Sequence, residues 1–344
     1  MKNMLRFLPL AALGLLALLV SCDEEKKNSE PPYEQDPTKI TLHGACAADV
    51  CIGGFQVQTN EDMGYTMIEG RVYDGIIPGR VLELIQTEGD CRLEKPRRLF
   101  CDPSCTSGFT CGFEEICIPM PLQQDMGTVV LRGLVERLAL KPLPGNSYSY
   151  SQLPYPGVEV DHVIQLRTTS GYLGPMELYG IGVSQLVPTA SAWTLAKGQD
   201  LVIGWTAPPE GAKSRIYLDI QIDLHGLTPL VLSCNLPDTG SATIPSAIID
   251  GLMEAGVTGY PTGRVTRRTE DSLTATQGCI DFFVTSVRTM TVEVSGHTPC
   301  TSQDDCTPPE VCDLDPMIQQ CYTPCDGPED CTPPATCNAE NKCE

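Results

Sequence analysis

The feature that most constrains this chain is its cysteine content, 18 of 344 residues. Cysteine at this density typically holds small, loop-rich folds together through disulfides in oxidising compartments. The tail after residue 299 contains ten acidic side chains, one lysine and few large apolar side chains. Since so little apolar surface can be buried there, we expect the tail to fold only when its cysteines are paired. We predict disulfides at Cys300, Cys306, Cys312, Cys321, Cys325, Cys331, Cys337 and Cys343.

The tail cysteines are organised as a repeat. Two four-cysteine units contain the near copies DDCTPPEVC and EDCTPPATC, and residues 101–117 have the same cysteine spacing as residues 321–337. A fixed spacing indicates a repeated module. The units loosely resemble the small disulfide-rich modules of extracellular proteins. Within each tail unit we expect the first cysteine to pair with the third and the second with the fourth, although spacing alone leaves other connectivities open.

Zinc coordination is the alternative for these cysteines. Zinc knuckles use shorter spacings than five residues, and no histidine lies among the eight cysteines. We therefore expect disulfides and no bound metal, and the sequence predicts no cofactor.

The first 22 residues, MKNMLRFLPLAALGLLALLVSC, carry a compartment signal. A positive start precedes an apolar run that is too short to span a bilayer but right for a secretory signal peptide. The run ends in Leu19, Val20, Ser21 and Cys22, which resembles the lipobox of bacterial lipoproteins. The resemblance implies a signal peptide over residues 1–21, lipidation of Cys22, and attachment to a lipid bilayer through N-terminal acyl chains of the palmitate type. An ordinary signal peptide with a chance cysteine is the alternative, and the choice of inner or outer membrane stays open.

The formal net charge is −21. A nucleic acid or an anionic lipid surface requires a basic footprint on its protein partner. The charge therefore argues against nucleic acid as a partner.

Short apolar runs separated by turn signals predict a mainly β fold with a β-sandwich core. The run RIYLDIQIDLH alternates apolar and polar residues, CIDFFVTSV and MTVEV indicate two further strands, and a short helix is expected over residues 247–255. We predict a flexible tether over residues 22–39, a cysteine-containing β region over 40–120, the sandwich over 121–298 and a disulfide-rich repeat tail over 299–344.

The cysteines before the tail do not sum to an even number. Cys234 and Cys279 lie at the ends of two predicted strands, and we expect them to pair. The remaining seven cannot all pair with one another, so one of them is free, modified or bonded elsewhere. These seven are Cys46, Cys51, Cys91, Cys101, Cys105, Cys111 and Cys117.

Motifs of known chemistry are weak in this sequence. LPDTG, residues 236–240, matches a sortase signal but is not followed by an apolar span, and we interpret it as chance. DTGS resembles the aspartic protease motif, yet that chemistry needs two carboxylates and no second copy exists; a turn between strands explains Asp238 better. Asp219, Asp223 and His225 share one face of a predicted strand and could bind a metal. Solvated side chains on an exposed sheet face explain these residues better. Catalytic residues are therefore not predicted.

Two stretches suit binding. SYSYSQLPY places Tyr148, Tyr150 and Tyr155 among serines, and tyrosine supplies rigid contact area together with a hydroxyl. RLEKPRRLF forms a basic island suited to an anionic glycan or an acidic protein. Its cationic residues are Arg92, Lys95, Arg97 and Arg98.

The alternatives are a half-buried edge strand for the tyrosines and a solvated loop for the island. From these observations we expect a lipid-anchored, exported protein with a non-enzymatic interaction role at the bacterial cell envelope, its partner an envelope glycan or protein. A hydrolase with a dispersed active site and a spacer without a specific ligand are the alternatives.

Overall fold

The computed structural model describes residues 32–222, 230–315, 318–333 and 335–343. The predicted signal peptide and Cys22 lie outside the described residues. The chain divides between Tyr33 and Glu34 into two units, and the strands and helices of the described residues belong to the second. Within the described ranges, no helix is long and apolar enough to cross a bilayer.

The secondary structure is mainly β, as predicted. The first ten strands are β1 (Cys51–Asn60), β2 (Tyr65–Val72), β3 (Leu82–Glu88), β4 (Cys91–Pro96), β5 (Phe109–Cys111), β6 (Cys117–Pro119), β7 (Val129–Arg132), β8 (Leu138–Leu140), β9 (Tyr148–Leu153) and β10 (Val163–Thr168). The others are β11 (Met176–Ile181), β12 (Ala192–Leu195), β13 (Leu201–Gly204), β14 (Arg215–Gln221), β15 (Val231–Pro237), β16 (Ser241–Ile244), β17 (Thr262–Ala275), β18 (Gly278–Val294), β19 (Val311–Asp313) and β20 (Gln320–Tyr322). The α-helix α1 (Ser246–Met253) agrees with the expected helix, and short 3-10 turns occupy Pro37–Lys39, Pro78–Arg80, Gln303–Asp305 and Pro328–Asp330.

One large sheet organises the molecule. Its strand order is β3-β4-β15-β14-β17-β18-β1-β2-β9, and β12 pairs with the end of β18. The antiparallel strands β17 and β18 are long enough to serve two neighbouring cores on the same side of this sheet. They were only partly predicted: the two expected strands CIDFFVTSV and MTVEV are one continuous strand, and β17 was not expected.

Each half of the sheet buries its own core. In the first core, β1, β2 and β18 pack against a four-stranded sheet of order β11-β10-β7-β8, with Phe55, Leu166 and Phe282 at its centre. In the second core, β14, β15 and the end of β18 pack against β13, β16 and α1, around both tryptophans, Trp193 and Trp205. The predicted sandwich packing is confirmed, and the large sheet contributes to two adjoining cores.

The alternating pattern of β14 explains its place in the sheet. Ile216, Leu218 and Ile220 are fully buried, while Tyr217 and Asp219 lie on the opposite face. This is the two-residue period of a strand with one face on a core. The opposite side of β14 is therefore more polar and half-buried.

The expected Cys234–Cys279 pair is wrong. Cys234 bonds to Cys91, its register partner on β4, and Cys279 bonds to Cys46. Both bonds join segments far apart in sequence, which strand-end positions alone could not indicate. Among the described cysteines, Cys51 is the free one.

The boundary predicted at residue 120 does not coincide with a break in the fold. Strands β1 to β4 come from residues before it, β14 to β18 come from residues after it, and all lie in one sheet. The described part of the predicted tether is also engaged, because the Lys213 ammonium donates to the carbonyls of Pro37 and Ile40.

The two tail units pair first to third and second to fourth, as the sequence suggested, and residues 101–117, for which no pairing was predicted, follow the same order. Their disulfides are Cys300–Cys312, Cys306–Cys321, Cys325–Cys337, Cys331–Cys343, Cys101–Cys111 and Cys105–Cys117. Residues 101–117 and 321–337 have equal cysteine spacing, but their matching cysteines occupy different positions within the disulfide-bonded units. Cys111 bonds back to Cys101, whereas the cysteine at the matching position, Cys331, bonds forward to Cys343.

Part of the tail's acidity is structural. Asp305 accepts hydrogen bonds from the backbone N–H groups of Thr301 and Ser302 at 2.7 and 2.9 Å, and these hold the pKa of its carboxyl below the usual value. Asp330 caps Asp326 and Gly327 in the same way in the second unit. The acidic residue before the cysteine in each near copy therefore closes a turn that apolar packing does not hold.

Candidate functional site

A bulge in β1 shapes a cavity on the face of the large sheet that points away from the two cores. Between Cys51 and Gly53, β1 advances two residues while β18 advances one, from Cys279 to Ile280. A bulge of this kind bends a strand and redirects its side chains. A side chain on Gly54 would lie 2.3 Å from the carbonyl oxygen of Asp281, so only glycine fits there.

The two glycines leave bare backbone as the floor of a cavity that we call the sheet-face cleft. Its volume is about 340 Å³, and its walls include Gln56, Glu69, Arg71, Tyr73, Arg80 and Phe283. Gln56 lies opposite both Glu69 and Phe283 in the register of the three strands, which places these side chains on the same face. A polar amide–carboxylate pair and an aromatic ring thus stand side by side above the floor.

Two arginines also line the sheet-face cleft. Arg71 and Arg80 form no ion pair with any residue that the structure describes. The guanidinium of Arg80 stacks over the ring of Tyr73 at 5.2 Å from its centroid. Burial alone would raise the pKa of Tyr73, but the hydrogen bond from Gln123 and the positive charge of Arg80 hold it below the usual value. Arg71 and Arg80 therefore bring two positive charges to the sheet-face cleft, next to the carboxylates of Glu69 and Asp281.

The aromatic wall is held rigidly from behind. The guanidinium of Arg268 lies 4.9 Å from the ring centroid of Phe283 and 4.1 Å from that of Tyr217, and its Nε donates to Glu270 at 2.6 Å. A side chain fixed by such contacts loses little conformational entropy when a ligand binds.

A second cavity of about 300 Å³ adjoins the sheet-face cleft and shares Gly53, Tyr73, Arg80 and Asp281 with it. The free thiol of Cys51 lines this second cavity and lies 3.4 Å from Oδ2 of Asp281. Burial raises the pKa of Cys51 to about 11, and burial also raises the pKa of Asp281.

The predicted tyrosine contacts are only partly on the surface. Tyr148 is wrong as a ligand contact: it is 1% exposed, and its hydroxyl is bonded to the backbone of Met126 and Gly127. Tyr150 sits on the edge strand β9 and donates to Glu136 at 3.0 Å, and the Tyr155 hydroxyl is bonded to Glu61. The alternation of β9 turns Tyr148 into the first core, as the edge-strand alternative expected.

The basic island is spread over two elements. Arg92 is exposed on β4, Lys95 lies 3.7 Å from Glu83, and Arg97 stacks over the ring of Phe113 at 5.3 Å. Arg98 is exposed in the loop that follows. The island does not converge on one cavity as the two cleft arginines do.

Asp238, common to the two short motifs, is a buried structural group. It is 2% exposed and pairs with Arg267 at 2.7 Å, while Trp205 and Ser214 donate to its oxygens at 2.7 and 2.6 Å. Every hydrogen-bonding position of this carboxylate is directed at a neighbour inside the protein, so it is not a free catalytic acid. The turn between β15 and β16 that the sequence predicted is confirmed.

The other candidate carboxylates and histidines do not form a common site. Asp219 pairs with Arg264 at 3.0 Å, whereas Asp223 and His225 lie outside the described residues. His162 lies 3.2 Å from Glu159, and the ring of His297 contacts the carbonyl of Gly259. His43 is different, because its exposed ring lies 2.8 Å from the buried carboxylate of Asp271.

Sequence reasoning missed the sheet-face cleft. The available signal was the pair Gly53 and Gly54 inside an otherwise strand-like run, since glycine within a strand indicates a bulge or a close approach of backbone. The arginines gave no comparable signal because β2 and the 3-10 turn meet only in three dimensions.

Comparisons with known proteins add little to this geometry. No protein-family model matches the chain, and no curated sequence matches it. Among solved structures, the chicken CNTN1 FN1–FN3 domains align with 9% identity over 64% of this chain and 71% of that chain, with a TM-score of 0.18. So low a TM-score supports no conclusion about function.

Proposed function

We propose that this protein is an exported binding protein, anchored at Cys22, whose sheet-face cleft takes an acidic saccharide of the cell envelope. One observation carries the proposal. The guanidinium groups of Arg71 and Arg80, which form no ion pair with any described residue, line the same cleft as the ring of Phe283 and the backbone of Gly53 and Gly54. The eight disulfides agree with a location outside the cytoplasm.

The cleft chemistry favours a ligand with a carboxylate and several hydroxyl groups. Arginine presents planar donors that match a carboxylate in two parallel hydrogen bonds. Phe283 provides apolar ring surface, and Gln56 with Glu69 provides one amide and one carboxylate for hydroxyl groups. The cleft volume lies within the range of small-ligand sites.

Binding without catalysis fits the described carboxylates better than hydrolysis does. Asp238 is buried in a structural ion pair, and Asp219 pairs with an arginine. The hydrolase alternative is supported by one observation, the His43–Asp271 pair. Among the described residues, however, no serine or threonine hydroxyl is hydrogen-bonded to His43, so the pair lacks the nucleophile that such chemistry needs.

A binding measurement tests the proposal. The full-length protein in detergent is titrated with a hyaluronan hexasaccharide and with its carboxyl-reduced counterpart. We expect saturable binding of the acidic form only, and replacing Arg71 or Arg80 with alanine should weaken it about 10- to 100-fold, because a hydrogen bond to a charged group contributes about 1.5–3 kcal/mol. Arg92→Ala is the matched control, an exposed arginine on β4, and should leave the affinity unchanged.

Three outcomes contradict the proposal. Equal binding of the two saccharides would show that the carboxylate is not recognised. An equal loss with Arg92→Ala would show that any surface cation suffices. Absence of saturable binding would favour the spacer alternative.

The lipid anchor is tested separately. We expect Cys22→Ser to move the exported protein from the membrane fraction to the soluble fraction, because two or more acyl chains give stable attachment and their loss removes it. The control is Cys51→Ser, which removes the other cysteine outside the disulfides. Membrane fractionation after a carbonate wash gives the result, and a Cys22→Ser protein that stays attached contradicts lipidation at this residue.

A further inference from the structure

The second cavity brings together an unusual set of sulfur atoms. The Sγ atoms of Cys51 and Cys46 and a carboxylate oxygen of Asp281 all lie within 4.8 Å of one another. Cys46 is bonded to Cys279, which is the register partner of Cys51 on the neighbouring strand. A free thiol and a long-range disulfide therefore share one half-buried site.

We propose that this site carries out internal thiol–disulfide exchange, in which Cys51 displaces Cys279 from Cys46. The Cys51 thiol loses its proton to hydroxide, and the resulting thiolate forms a bond to Sγ of Cys46. The Cys46–Cys279 bond breaks with its electron pair on Cys279, which takes up a proton from water and regenerates hydroxide. One disulfide and one thiol are present before and after, so no oxidant or reductant is consumed. The proposal is independent of the ligand of the sheet-face cleft.

Asp281 contacts both partners of the exchange. Its Oδ2 lies 3.4 Å from the Cys51 sulfur, and its Oδ1 accepts a 2.7 Å hydrogen bond from the backbone N–H of Cys46. The same carboxylate thus orients the attacking thiol and the segment that carries the attacked sulfur. After burial, the negative charge of Asp281 and its hydrogen bond to Cys51 also raise the pKa of the Cys51 thiol, so the site resists exchange at neutral pH.

The exchange would change which parts of the chain are covalently linked. A Cys46–Cys51 disulfide would close a short loop that ends at the start of β1, and the Thr274 hydroxyl, 3.8 Å from the Cys279 sulfur in the structure, could donate to the released Cys279. Exchange would replace a covalent link across 233 positions of sequence with a local one. The segment before β1 would then be held to β17 and β18 by non-covalent contacts such as the His43–Asp271 pair.

The environment of Cys51 makes the exchange slow at neutral pH. A thiol with a pKa of about 11 is almost entirely protonated at pH 7, and the thiolate is the attacking form. The charged and titratable groups that face it are Asp281 on β18 and, across the cavity, Tyr73 and Arg80. We expect the exchange rate to rise about tenfold per pH unit from pH 7 to pH 10, as the thiolate fraction does.

Peptide mapping of the full-length protein tests the exchange. The protein is held at pH 9 without added thiol, quenched in acid, alkylated and digested without reduction. We expect a growing fraction in which Cys279 is alkylated and Cys46 is linked to Cys51, at a rate independent of protein concentration. Cys51→Ser is the control and should show no alkylated Cys279 under the same conditions.

A variant gives a second measurement. In Cys279→Ser, expressed with its export signal, Cys46 and Cys51 are the cysteines left without their native partner, and we expect them to bond, giving no titratable thiol in denaturant. Two titratable thiols in Cys279→Ser would overturn the proposal. Alkylation confined to Cys51 in the wild-type protein at every time, or equal alkylation of Cys279 in Cys51→Ser, would overturn it as well.

Discussion

Replacing Arg267 with methionine is expected to lower the free energy of unfolding by about 3–5 kcal/mol. Arg267 is 1% exposed, and besides its pair with Asp238 it donates to the carbonyls of Ser184, Gln185 and Thr206. Methionine leaves the Asp238 carboxylate buried without its counter-charge. Urea denaturation followed by tryptophan fluorescence measures the effect, because Trp205 is hydrogen-bonded to Asp238.

The same strand offers the control. Arg264 pairs with Asp219 at the sheet surface, where its side chain is 57% exposed, and Arg264→Ala should cost about 0–1 kcal/mol. The double variant Asp238→Ala with Arg267→Met should be more stable than Arg267→Met alone, since it leaves no unpaired buried charge. Equal losses for Arg264→Ala and Arg267→Met would contradict the structural role of the buried pair.

The second large effect concerns the disulfide between Cys91 and Cys234. Both residues are at most 2% exposed in the second core, and the bond joins β4 to β15 across 143 positions of sequence. Removing a native disulfide typically costs about 2–5 kcal/mol, and a long loop places the expected loss in the upper part of that range. We expect the double variant Cys91→Ala/Cys234→Ala to show this loss in the tryptophan-monitored transition.

A tail disulfide provides the contrast. Cys331→Ala with Cys343→Ala removes a bond across 12 positions in a module without tryptophan, so the tryptophan transition should not change. The last module should instead become sensitive to limited proteolysis. Equal shifts of the transition for the two double variants would contradict the separation between core and tail.

The sequence predicted the features that depend on local patterns. Alternation along β14, the helix after Pro245 and the first-to-third pairing of the tail cysteines all follow from neighbours within about 20 residues. The Cys91–Cys234 and Cys46–Cys279 bonds did not follow, because they depend on which strands become neighbours in the sheet. The continuity of β18 was also missed. The same strand packs against both cores, and no residue pattern within it shows that the strand continues from the first core to the second.

The candidate site shows the same limit. Arg71 comes from β2, Arg80 from a 3-10 turn and Phe283 from β18, so the sheet-face cleft exists only after the strands are ordered. The tyrosine run and the basic island were visible as composition, but composition did not indicate that Tyr148 turns inward. In the sequence itself, only Gly53 and Gly54 indicated where the cleft would lie.

Disulfide mapping of the native full-length protein tests the central claim, an oxidised extracytoplasmic fold with one thiol kept free. Freshly purified protein is alkylated at pH 6 and digested without reduction. The structure predicts eight cross-links, among them Cys46–Cys279 and Cys91–Cys234, with Cys51 as the alkylated residue between positions 46 and 343. Alkylated thiols throughout the tail, or metal bound to them, would contradict it.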